Sequence, residues 1–409
     1  LDLVLDGKRR KISLLLESGL ETAAAVTSSK KKNGKIAEEL FLEDETTVEV
    51  SIPEDIEGML RKYDICEGMG KSCDMKHKIF VNEDAVPVMG RNYPIAVAYE
   101  SKVQQMIHDM LEEGIIEESC SNWCSPLFPV SKKDGGLRLV VDYRDVNKRT
   151  KKDAYPAPVI SEILSSLDGA KFFSKIDFRS GYYQIPMDDT SKEITAFRFG
   201  GKLYHFNVMP FGLQTAPQTF MRLMNKVWKN CTYARVYLDD VIIASRSRSE
   251  HLEHLEDAFK RIAAANLKIN LQKCAFDQKE MEYLGYMIST EGIFPCKKKI
   301  EAIVNANEPQ SKAELKSFIG MCDFHRRSID GYGTTMEPLY RLLKKNVHFV
   351  FSDDQKKSFN VIKKKLTEAP ILKLPNFNLP FKVRTDASNK AMGAVLLQEN
   401  PDGSDSVIE

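Results

Sequence analysis

Two adjacent aspartates, Asp239 and Asp240, interrupt a segment whose other residues are typical of a buried strand. Apolar β-forming residues stand on both sides of them, at positions 236–238 and 241–243. Adjacent carboxylates repel each other, and burying one unpaired charge costs several kcal/mol. The chain's two other Asp-Asp pairs lie among polar residues, as solvated loops do. The pattern therefore leaves two readings for Asp239 and Asp240: a tight hairpin turn exposes the pair, or a positive charge neutralises it.

A third aspartate, Asp177, ends the apolar run "FFSKI" and poses the same question. Taken alone, an aspartate at the end of a strand is typical of a turn. If the two acidic strand ends lie together, the carboxylates repel unless divalent cations neutralise them, and Mg²⁺ suits hard carboxylate oxygens. Two such ions, roughly 3.5–4 Å apart, can hold the attacking and leaving oxygens of a phosphoryl transfer. We therefore expect an exposed hairpin tip that carries two Mg²⁺ ions, with Mn²⁺ as the alternative.

The elements that must position these residues follow in an irregular order of helices and strands. Residues 100–113 carry apolar side chains at helical spacing, and two strands follow, joined by a polar turn at 132–136. A further strand leads to Asp177, and a hairpin turns at 200–201 before the next predicted helix and the Asp-Asp pair. Strands and helices mixed in this order, without regular βαβ alternation, predict an α+β fold.

Composition indicates the class of the protein but not its partner. The 409 residues are enough for two or three domains, and 43% hydrophobic with 29% charged residues is ordinary for a soluble globular protein. Because the net charge is only +1, a nucleic-acid partner would need local basic patches. Runs such as 297–299 and 363–365 provide them, although each run alone is more typical of a solvated face.

The cysteines and the two ends of the sequence bear on where the protein works. The eight cysteines lack a disulfide-framework spacing, which predicts reduced thiols in an intracellular protein. No apolar stretch reaches bilayer-spanning length, so no membrane partner is expected. The sequence starts at Leu1 and stops in mid-pattern, and we therefore expect a piece of a longer polyprotein.

Five motifs resemble those of reverse transcriptases, in the same order and at about the same spacing. They are "GLRLVVDYRDVNKRT", "KIDFRSGYYQI", "MPFGLQTAPQTF", "VYLDDVIIAS" and "EYLGYMIS". The likeness runs from about His77 to the C-terminus and is strongest to the pol polyproteins of gypsy-type (Ty3-like) LTR retrotransposons. It implies a right-hand polymerase fold with fingers, palm and thumb, followed by a truncated RNase H-like α/β segment.

The resemblance divides the chain into four parts. Residues 1–76 would be a linker or the end of a preceding polyprotein region, and residues 77–290 the fingers and palm of the reverse transcriptase. Residues 291–375 would form thumb and connection helices, and residues 376–409 the incomplete start of an RNase H-like domain. Because that site needs further acidic residues from downstream segments, RNase H activity is not expected from these 409 residues.

The resemblance also assigns the catalytic, metal-binding carboxylates of the palm to Asp177, Asp239 and Asp240. Asp177 and Asp239 would hold both ions. Asp240 would contribute its negative electrostatic field and would coordinate the ions only in part. Asp386, in "FKVRTDAS", would be the first metal carboxylate of the RNase H-like segment.

Residues that bind the incoming nucleotide follow from the same resemblance. Lys132 and Arg138 match the fingers residues that grip the triphosphate, a role that suits a Lys point charge and a planar Arg fork. Lys133 is the alternative to Lys132. Tyr182 matches the aromatic ring that lies under the sugar and excludes a 2′-hydroxyl, so it favours deoxynucleotides.

Two loops and the thumb complete the predicted site. Phe211 and Gln214 fall in the loop that packs against the nascent base pair. The primer-grip hairpin, which positions the 3′-hydroxyl, is matched by four residues: Tyr283, Leu284, Gly285 and Tyr286. Placing that hydroxyl within roughly 3–3.5 Å of the α-phosphate would supply much of the rate. In the predicted thumb, His325 and Ser328 stand where the family usually has aromatic residues.

The resemblance implies a Mg²⁺-dependent RNA-directed DNA polymerase that extends a primer on an RNA or DNA template. Its partners would be template with primer, deoxynucleoside triphosphates, and the protease and integrase of the same polyprotein. An RNA-templated RNA polymerase and a non-catalytic structural subunit are the rival readings. Tyr182 and the RNase H-like tail speak against the first, and the filled palm positions against the second.

The assembly state and the compartment are less determined than the activity. The sequence leaves monomer and homodimer open. By analogy with such enzymes, we expect cytoplasmic virus-like particles, with the nucleus as the alternative.

Overall fold

The computed structural model of the chain describes residues 2–5, 8–11, 52–73, 75–91, 93–131, 136–329, 331–368, 372–387, 392–400 and 402–408. The chain forms two compact units, Leu1–Thr46 and Thr47–Glu409. In the first unit, β1 (Asp2–Leu5) and β2 (Lys8–Lys11) pair as antiparallel strands, with Asp2 opposite Lys11.

The second unit contains several small antiparallel sheets. Their strands are β3 (Ile116–Glu118), β4 (Leu127–Ser131), β5 (Leu137–Val141), β6 (Phe172–Asp177), β7 (Phe197–Phe199), β8 (Lys202–Phe206), β9 (Ala234–Tyr237), β10 (Asp240–Ser245), β11 (Ala275–Gln278), β12 (Glu280–Tyr283), β13 (Tyr286–Ser289), β14 (Gly292–Pro295), β15 (Lys382–Ala387), β16 (Met392–Glu399) and β17 (Asp405–Val407). Neighbouring strands follow the orders β3-β8-β7, β4-β5, β11-β6-β10-β9, β12-β13-β14 and β15-β16-β17.

Helices alternate irregularly with these strands. They are α1 (Glu54–Tyr63), α2 (Val97–Glu112), α3 (Arg144–Arg149), α4 (Ile160–Ser165), α5 (Ala216–Val227), α6 (Arg248–Ala264), α7 (Lys297–Val304), α8 (Lys312–Asp323), α9 (Tyr332–Leu342) and α10 (Asp353–Thr367). This mixture and order of elements agrees with the predicted α+β class. No helix in the described part of the chain is long and apolar enough to cross a membrane.

Strand β10 is buried on both faces, which explains the apolar run after the Asp-Asp pair. Val241 and Ile243 belong to the main core, together with side chains of α5 and α6, whereas Ile242 belongs to a smaller core under β12–β14. A strand covered on both sides reads as a continuous apolar run rather than an alternating one. The four-stranded sheet β11-β6-β10-β9 is therefore a central layer of the unit.

The main core extends further towards the N-terminus than the predicted domain division. Ile56 and Leu60 of α1, with Ile65 after it, are buried in the same cluster as the side chains of the four-stranded sheet. Helix α1 also lies along α6, where Lys62 and Glu256 form an ion pair of 2.5 Å. The boundary predicted at residue 76 thus falls inside a packed region rather than at the end of a linker.

Helices α7 to α10 enclose a separate core in the predicted thumb. At the end of α8, the Asp323 carboxylate accepts hydrogen bonds from the hydroxyls of Tyr332 at 2.7 Å and Tyr340 at 2.5 Å. His325 and Ser328, which replace expected aromatic residues, are both buried here. The predicted RNase H-like segment follows as the antiparallel meander β15-β16-β17.

Candidate active site

The antiparallel pairing of β6 with β10 brings the predicted carboxylates to one edge of the central sheet. Asp177, the last residue of β6, lies directly opposite Asp240, the first residue of β10. Asp239 is exposed in the two-residue turn that joins β9 to β10. The hairpin turn therefore does expose part of the acidic pair, in agreement with the first of the two readings.

The turn that carries Asp239 contains an unusual backbone conformation. Leu238, the other residue of the turn, has a φ of +54°. A bulky residue rarely adopts this left-handed conformation, which costs of order 1–3 kcal/mol and persists only where the surroundings impose it. The strands on either side, paired from Tyr237 to Asp240, hold the turn in place.

Asp177 is the carboxylate most affected by its surroundings. Its pKa is raised to about 6, chiefly by burial and in smaller part by the charges of Asp239 and Asp240, whereas Lys273 and Lys175 oppose the shift. The charged form of Asp177 is thus short of compensating positive charge. A cation at this edge of the sheet would stabilise it.

Asp240 already has a cationic partner within the protein. The ammonium of Lys175 lies 2.9 Å from Asp240 Oδ1, and each side chain is 26% exposed. Sequence reasoning identified only a metal as the missing positive charge and did not name Lys175. The available signal was its position two residues before Asp177, because alternate residues of a strand share one face.

The donor set suits a divalent cation held by two carboxylates. No three His, Cys, Asp or Glu side chains in the described ranges are grouped so that they could hold a metal ion together. Because Lys175 pairs with Asp240, a cation could be held by Asp177 and Asp239 without displacing that ammonium. Mg²⁺ commonly binds one or two carboxylates and takes its other oxygens from water and substrate phosphates, so these residues fit it.

A cluster of aromatic rings lies beside the carboxylates. Tyr182 stacks on Phe211 with 5.0 Å between ring centroids, and its other neighbour is the buried Phe220 at 5.5 Å. Phe211 remains 52% exposed, which is unusual for a large apolar ring. Burial and the charge of Asp239 raise the pKa of Tyr182 well above its usual value, so the hydroxyl stays protonated. The exposed ring offers a flat apolar surface next to the acidic edge.

Gly181 allows this close packing. A Cβ at that position would lie 3.1 Å from two ring carbons of Phe220 and 3.3 Å from the Cβ of Phe178. Both distances are tighter than ordinary van der Waals contact. The glycine therefore lets the turn after Asp177 approach α5.

Of the predicted triphosphate ligands, the structure places only Arg138. It is exposed on β5, opposite Val130 of β4. Burial raises the pKa of Tyr183 to about 12, and the charge of Arg138 opposes this shift. Lys132 and its alternative Lys133 lie outside the described residues.

The side chain of Gln214 is occupied within the protein. Its Nε2 donates to the backbone carbonyl oxygens of Asn147 at 2.8 Å and Thr150 at 2.9 Å. Its backbone N–H donates to Asn147 Oδ1 at 2.9 Å. Gln214 therefore fastens the loop after Phe211 to α3, and its substrate-binding role stays a prediction.

The predicted primer-grip residues form the tight hairpin between β12 and β13. Leu284 and Gly285 both have positive φ, +50° and +80°, as a type I′ turn requires. Tyr283 is buried, and its hydroxyl donates to the Asp240 carbonyl oxygen at 3.4 Å. Tyr286 stacks on Phe324 at 5.0 Å and donates to its carbonyl oxygen at 3.1 Å. The hairpin thus links the acidic edge to the helices after α7.

Asp386 lies apart from this site along the chain. It belongs to β15 and pairs with Gly393 of β16. The position of its side chain lies outside the described residues, so its predicted metal-binding role stays a prediction.

Models of two protein families match parts of the sequence. The family described as "Reverse transcriptase (RNA-dependent DNA polymerase)" matches residues 130–288, and "RNase H-like domain found in reverse transcriptase" matches residues 351–409. The first match includes the acidic edge and the aromatic cluster. The second includes the meander β15-β16-β17.

Similar proteins include transposon polyproteins. The retrovirus-related Pol polyprotein from transposon 297 of Drosophila melanogaster is 38% identical over 335 residues, which are 79% of this chain and 31% of that protein. The transposon Tf2-3 polyprotein of Schizosaccharomyces pombe is 35% identical over 314 residues, 76% of this chain and 24% of that protein. The chain therefore spans less than a third of the length of these relatives.

Solved structures show the same fold. A foamy viral protease-reverse transcriptase (dRH) in complex with double-stranded DNA has a TM-score of 0.80 and 27% identity, covering 88% of this chain and 65% of that one. The protease-reverse transcriptase in complex with an RNA/DNA hybrid has a TM-score of 0.74 and 26% identity, covering 88% and 51%. This likeness confirms the predicted right-hand polymerase fold with an RNase H-like segment.

Proposed function

We propose that this chain, which belongs to the reverse transcriptase family of gypsy-type LTR-retrotransposon Pol polyproteins, is an RNA-directed DNA polymerase. It would add deoxynucleotides to a primer 3′-hydroxyl on an RNA or DNA template. The observation that carries the proposal is the pairing of Asp177 with Asp240 across β6 and β10, beside the exposed Asp239. The family matches support the same activity.

The carboxylates of the acidic edge would hold the divalent cations. Asp177 and Asp239 suit Mg²⁺ or Mn²⁺, and Asp240 stays paired with Lys175. When bound, two such ions activate the attacking hydroxyl and neutralise charge on the phosphates. The half-buried Asp177 keeps its charge more readily beside a cation than alone.

The aromatic cluster would orient the incoming nucleotide. Tyr182 would lie under the sugar, and the exposed ring of Phe211, which stacks on it at 5.0 Å, would extend the same apolar surface. A ring under the sugar leaves no room for a 2′-hydroxyl, which would select deoxynucleotides. Arg138, which is exposed on β5, would bind phosphate oxygens.

The hairpin between β12 and β13 would fix the primer end. Its Tyr283 is bonded to Asp240, so a primer lying against the hairpin would be held at a constant distance from the carboxylates. Holding the reacting groups in place in this way would supply a large share of the rate. Template with primer, deoxynucleoside triphosphates and other domains of the polyprotein would be the partners.

The test is Mg²⁺-dependent extension of oligo(dT) on poly(rA) with dTTP. Wild-type incorporation that Asp239→Asn abolishes would support both the activity and the site. Asp354→Asn is the matched control, because Asp354 belongs to another Asp-Asp pair at the start of α10. Incorporation that survives Asp239→Asn would place the chemistry elsewhere. No incorporation by the wild type, with duplex binding intact, would favour a structural role.

Replacing dTTP with UTP in the same assay tests the rival activity. Preference for UTP would indicate an RNA-templated RNA polymerase.

We further propose that the enzyme works in cytoplasmic virus-like particles, with the nucleus as the alternative. Fractionation of cells that express the polyprotein would test this location. Analytical ultracentrifugation would decide between monomer and homodimer.

A further inference from the structure

We propose that Lys175 is a positioning residue of this polymerase site. Its ammonium holds Asp240 in an ion pair, and so directs divalent cations to Asp177 and Asp239. The inference rests on the proposed polymerase function and assigns a role to a residue outside the predicted catalytic set.

The strand register explains why Lys175 reaches Asp240. Lys175 and Asp177 are two residues apart on β6 and share one face of the sheet. Asp240 lies opposite Asp177, so Lys175 is its diagonal neighbour across the two strands. The Nζ to Oδ1 distance of 2.9 Å is that of a charge-assisted hydrogen bond.

The backbone of Lys175 is held on both sides. It pairs with Ile242 of β10 and with Ala275 of β11, because β6 is an inner strand of the sheet. Ile242 is fully buried. The side chain of Lys175 therefore starts from a fixed backbone position, unlike that of a lysine on a surface loop.

Partial burial makes this ion pair stronger than a typical surface pair. Both side chains are 26% exposed, so water and salt screen the attraction only in part. An Asp240 carboxylate held in this way offers less charge to a second cation. The ammonium also repels any cation that approaches Asp240, which would confine metal binding to Asp177 and Asp239.

Loss of the ammonium should change both cation binding and catalysis. In Lys175→Met the stem keeps a similar volume, but Asp240 is freed as a third carboxylate. Cation binding should then become tighter in the absence of substrate. Primer extension should become slower, since the cation is drawn towards Asp240.

The first measurement is the affinity of the full chain for Mn²⁺ in the absence of nucleic acid. Electron paramagnetic resonance of the free Mn²⁺ reports how much of the ion is bound. We expect Lys175→Met to raise the affinity roughly three- to tenfold. Lys175→Arg, which keeps the charge, should stay within about twofold of the wild type. Thermal unfolding of each variant establishes that it is folded.

A double-mutant cycle separates the ion pair from a general charge effect. If Lys175 acts through Asp240, the rise caused by Lys175→Met should largely disappear in the Asp240→Asn background. Lys273 is the matched control, because its charge also acts on Asp177. Any effect of Lys273→Met should be the same with and without Asp240→Asn.

Several results would overturn the proposal. These are an unchanged Mn²⁺ affinity in Lys175→Met, additive effects of Lys175→Met and Asp240→Asn, or no measurable Mn²⁺ binding in any variant. Primer extension by the wild type decides the polymerase activity separately. If the wild type extends the primer but Lys175→Met leaves the Mn²⁺ affinity unchanged, only the role of Lys175 is rejected. If the wild type does not extend the primer but the double-mutant cycle gives the predicted Mn²⁺ affinities, only the polymerase activity is rejected.

Discussion

The hydroxyl of Tyr283 donates a hydrogen bond to the backbone carbonyl oxygen of Asp240, with 3.4 Å between the two oxygens. Because Asp240 begins β10, this bond joins the β12–β13 hairpin to the hairpin that carries the acidic pair. The same hairpin also meets the predicted thumb, because Tyr286 stacks on Phe324. The hairpin is thus connected both to the carboxylates and to the helices of the thumb.

Tyr283→Phe removes this hydroxyl and keeps the buried ring. We expect the free energy of unfolding to fall by about 1 kcal/mol. The rate of single-nucleotide extension should fall about tenfold, because the hairpin loses its link to Asp240. Rapid-quench extension at saturating dTTP measures the rate, and urea unfolding measures the stability.

The control for lost stability is Tyr332→Phe, which removes a hydroxyl bonded to Asp323 inside the thumb. It should lower stability by a similar amount and leave the extension rate near that of the wild type. Equal rates in Tyr283→Phe and Tyr332→Phe would show that the bond to Asp240 does not position the primer.

Gly181→Ala should disturb the aromatic cluster. The added methyl group would lie only 3.1 Å from ring carbons of Phe220, and would press through that ring on Tyr182. We expect a destabilisation of about 1–3 kcal/mol with slower extension. Gly58→Ala in α1, where no atom lies within 4 Å, should instead stabilise by about 0.5–1 kcal/mol. Urea unfolding that ranks the two variants the other way would refute this packing argument.

Tyr182→Ala should weaken the choice between sugars. Without the Tyr182 ring, the site beside Phe211 gains room for a 2′-hydroxyl. The ratio of kcat/KM for dTTP over UTP should therefore fall at least about tenfold. Tyr182→Phe keeps the ring and should keep the ratio. An unchanged ratio in Tyr182→Ala would mean that another residue excludes ribonucleotides.

His77 should make the protein sensitive to acid. It is fully buried, and its Nδ1 lies 2.8 Å from Thr219 Oγ1, while burial lowers its pKa to about 4. The unfolded chain, with an ordinary pKa near 6.5, binds a proton as the pH falls from about 6.5, whereas the folded protein does not until about 4. Stability contributed by the neutral ring is therefore present above about pH 6.5 and is lost between about 6.5 and 4.

The measurement compares the free energy of unfolding at about pH 7.5 and about pH 5.0. The Gln side chain of His77→Gln cannot titrate. The free energy of unfolding of this variant should therefore fall by about 2 kcal/mol less between the two pH values than that of the wild type. His108→Gln is the control, since His108 is exposed on α2. The idea fails if His77→Gln and the wild type lose equal stability.

The acidic edge was predictable because its signal is local. Carboxylates between apolar β-forming residues conflict with burial, and only a hairpin tip or a cation resolves that conflict. The partner of Asp240 was not predictable in the same way. Whether Lys175 reaches it depends on the register between β6 and β10, and a shift of one residue would turn Lys175 to the other face.

Two further differences have the same origin in long-range contacts. The sequence did not indicate that α3 and the residue after it supply two backbone acceptors for the Gln214 amide, from more than sixty residues away. Residues 1–76 were expected to be a linker or the end of a preceding polyprotein region, because the resemblance begins at about His77. Yet Ile56 and Leu60 are buried against elements that come much later in the chain.

If a protease releases this chain from a longer polyprotein, the position of α1 restricts where the cut can fall. A cut between residues 63 and 76 would detach the side chains of Ile56 and Leu60 from the main core and open a gap beside α6. Leaving such a gap costs several kcal/mol per large side chain. A cut that leaves a stable product should therefore fall before α1 begins at Glu54, and a product that lacks this helix should have a lower free energy of unfolding.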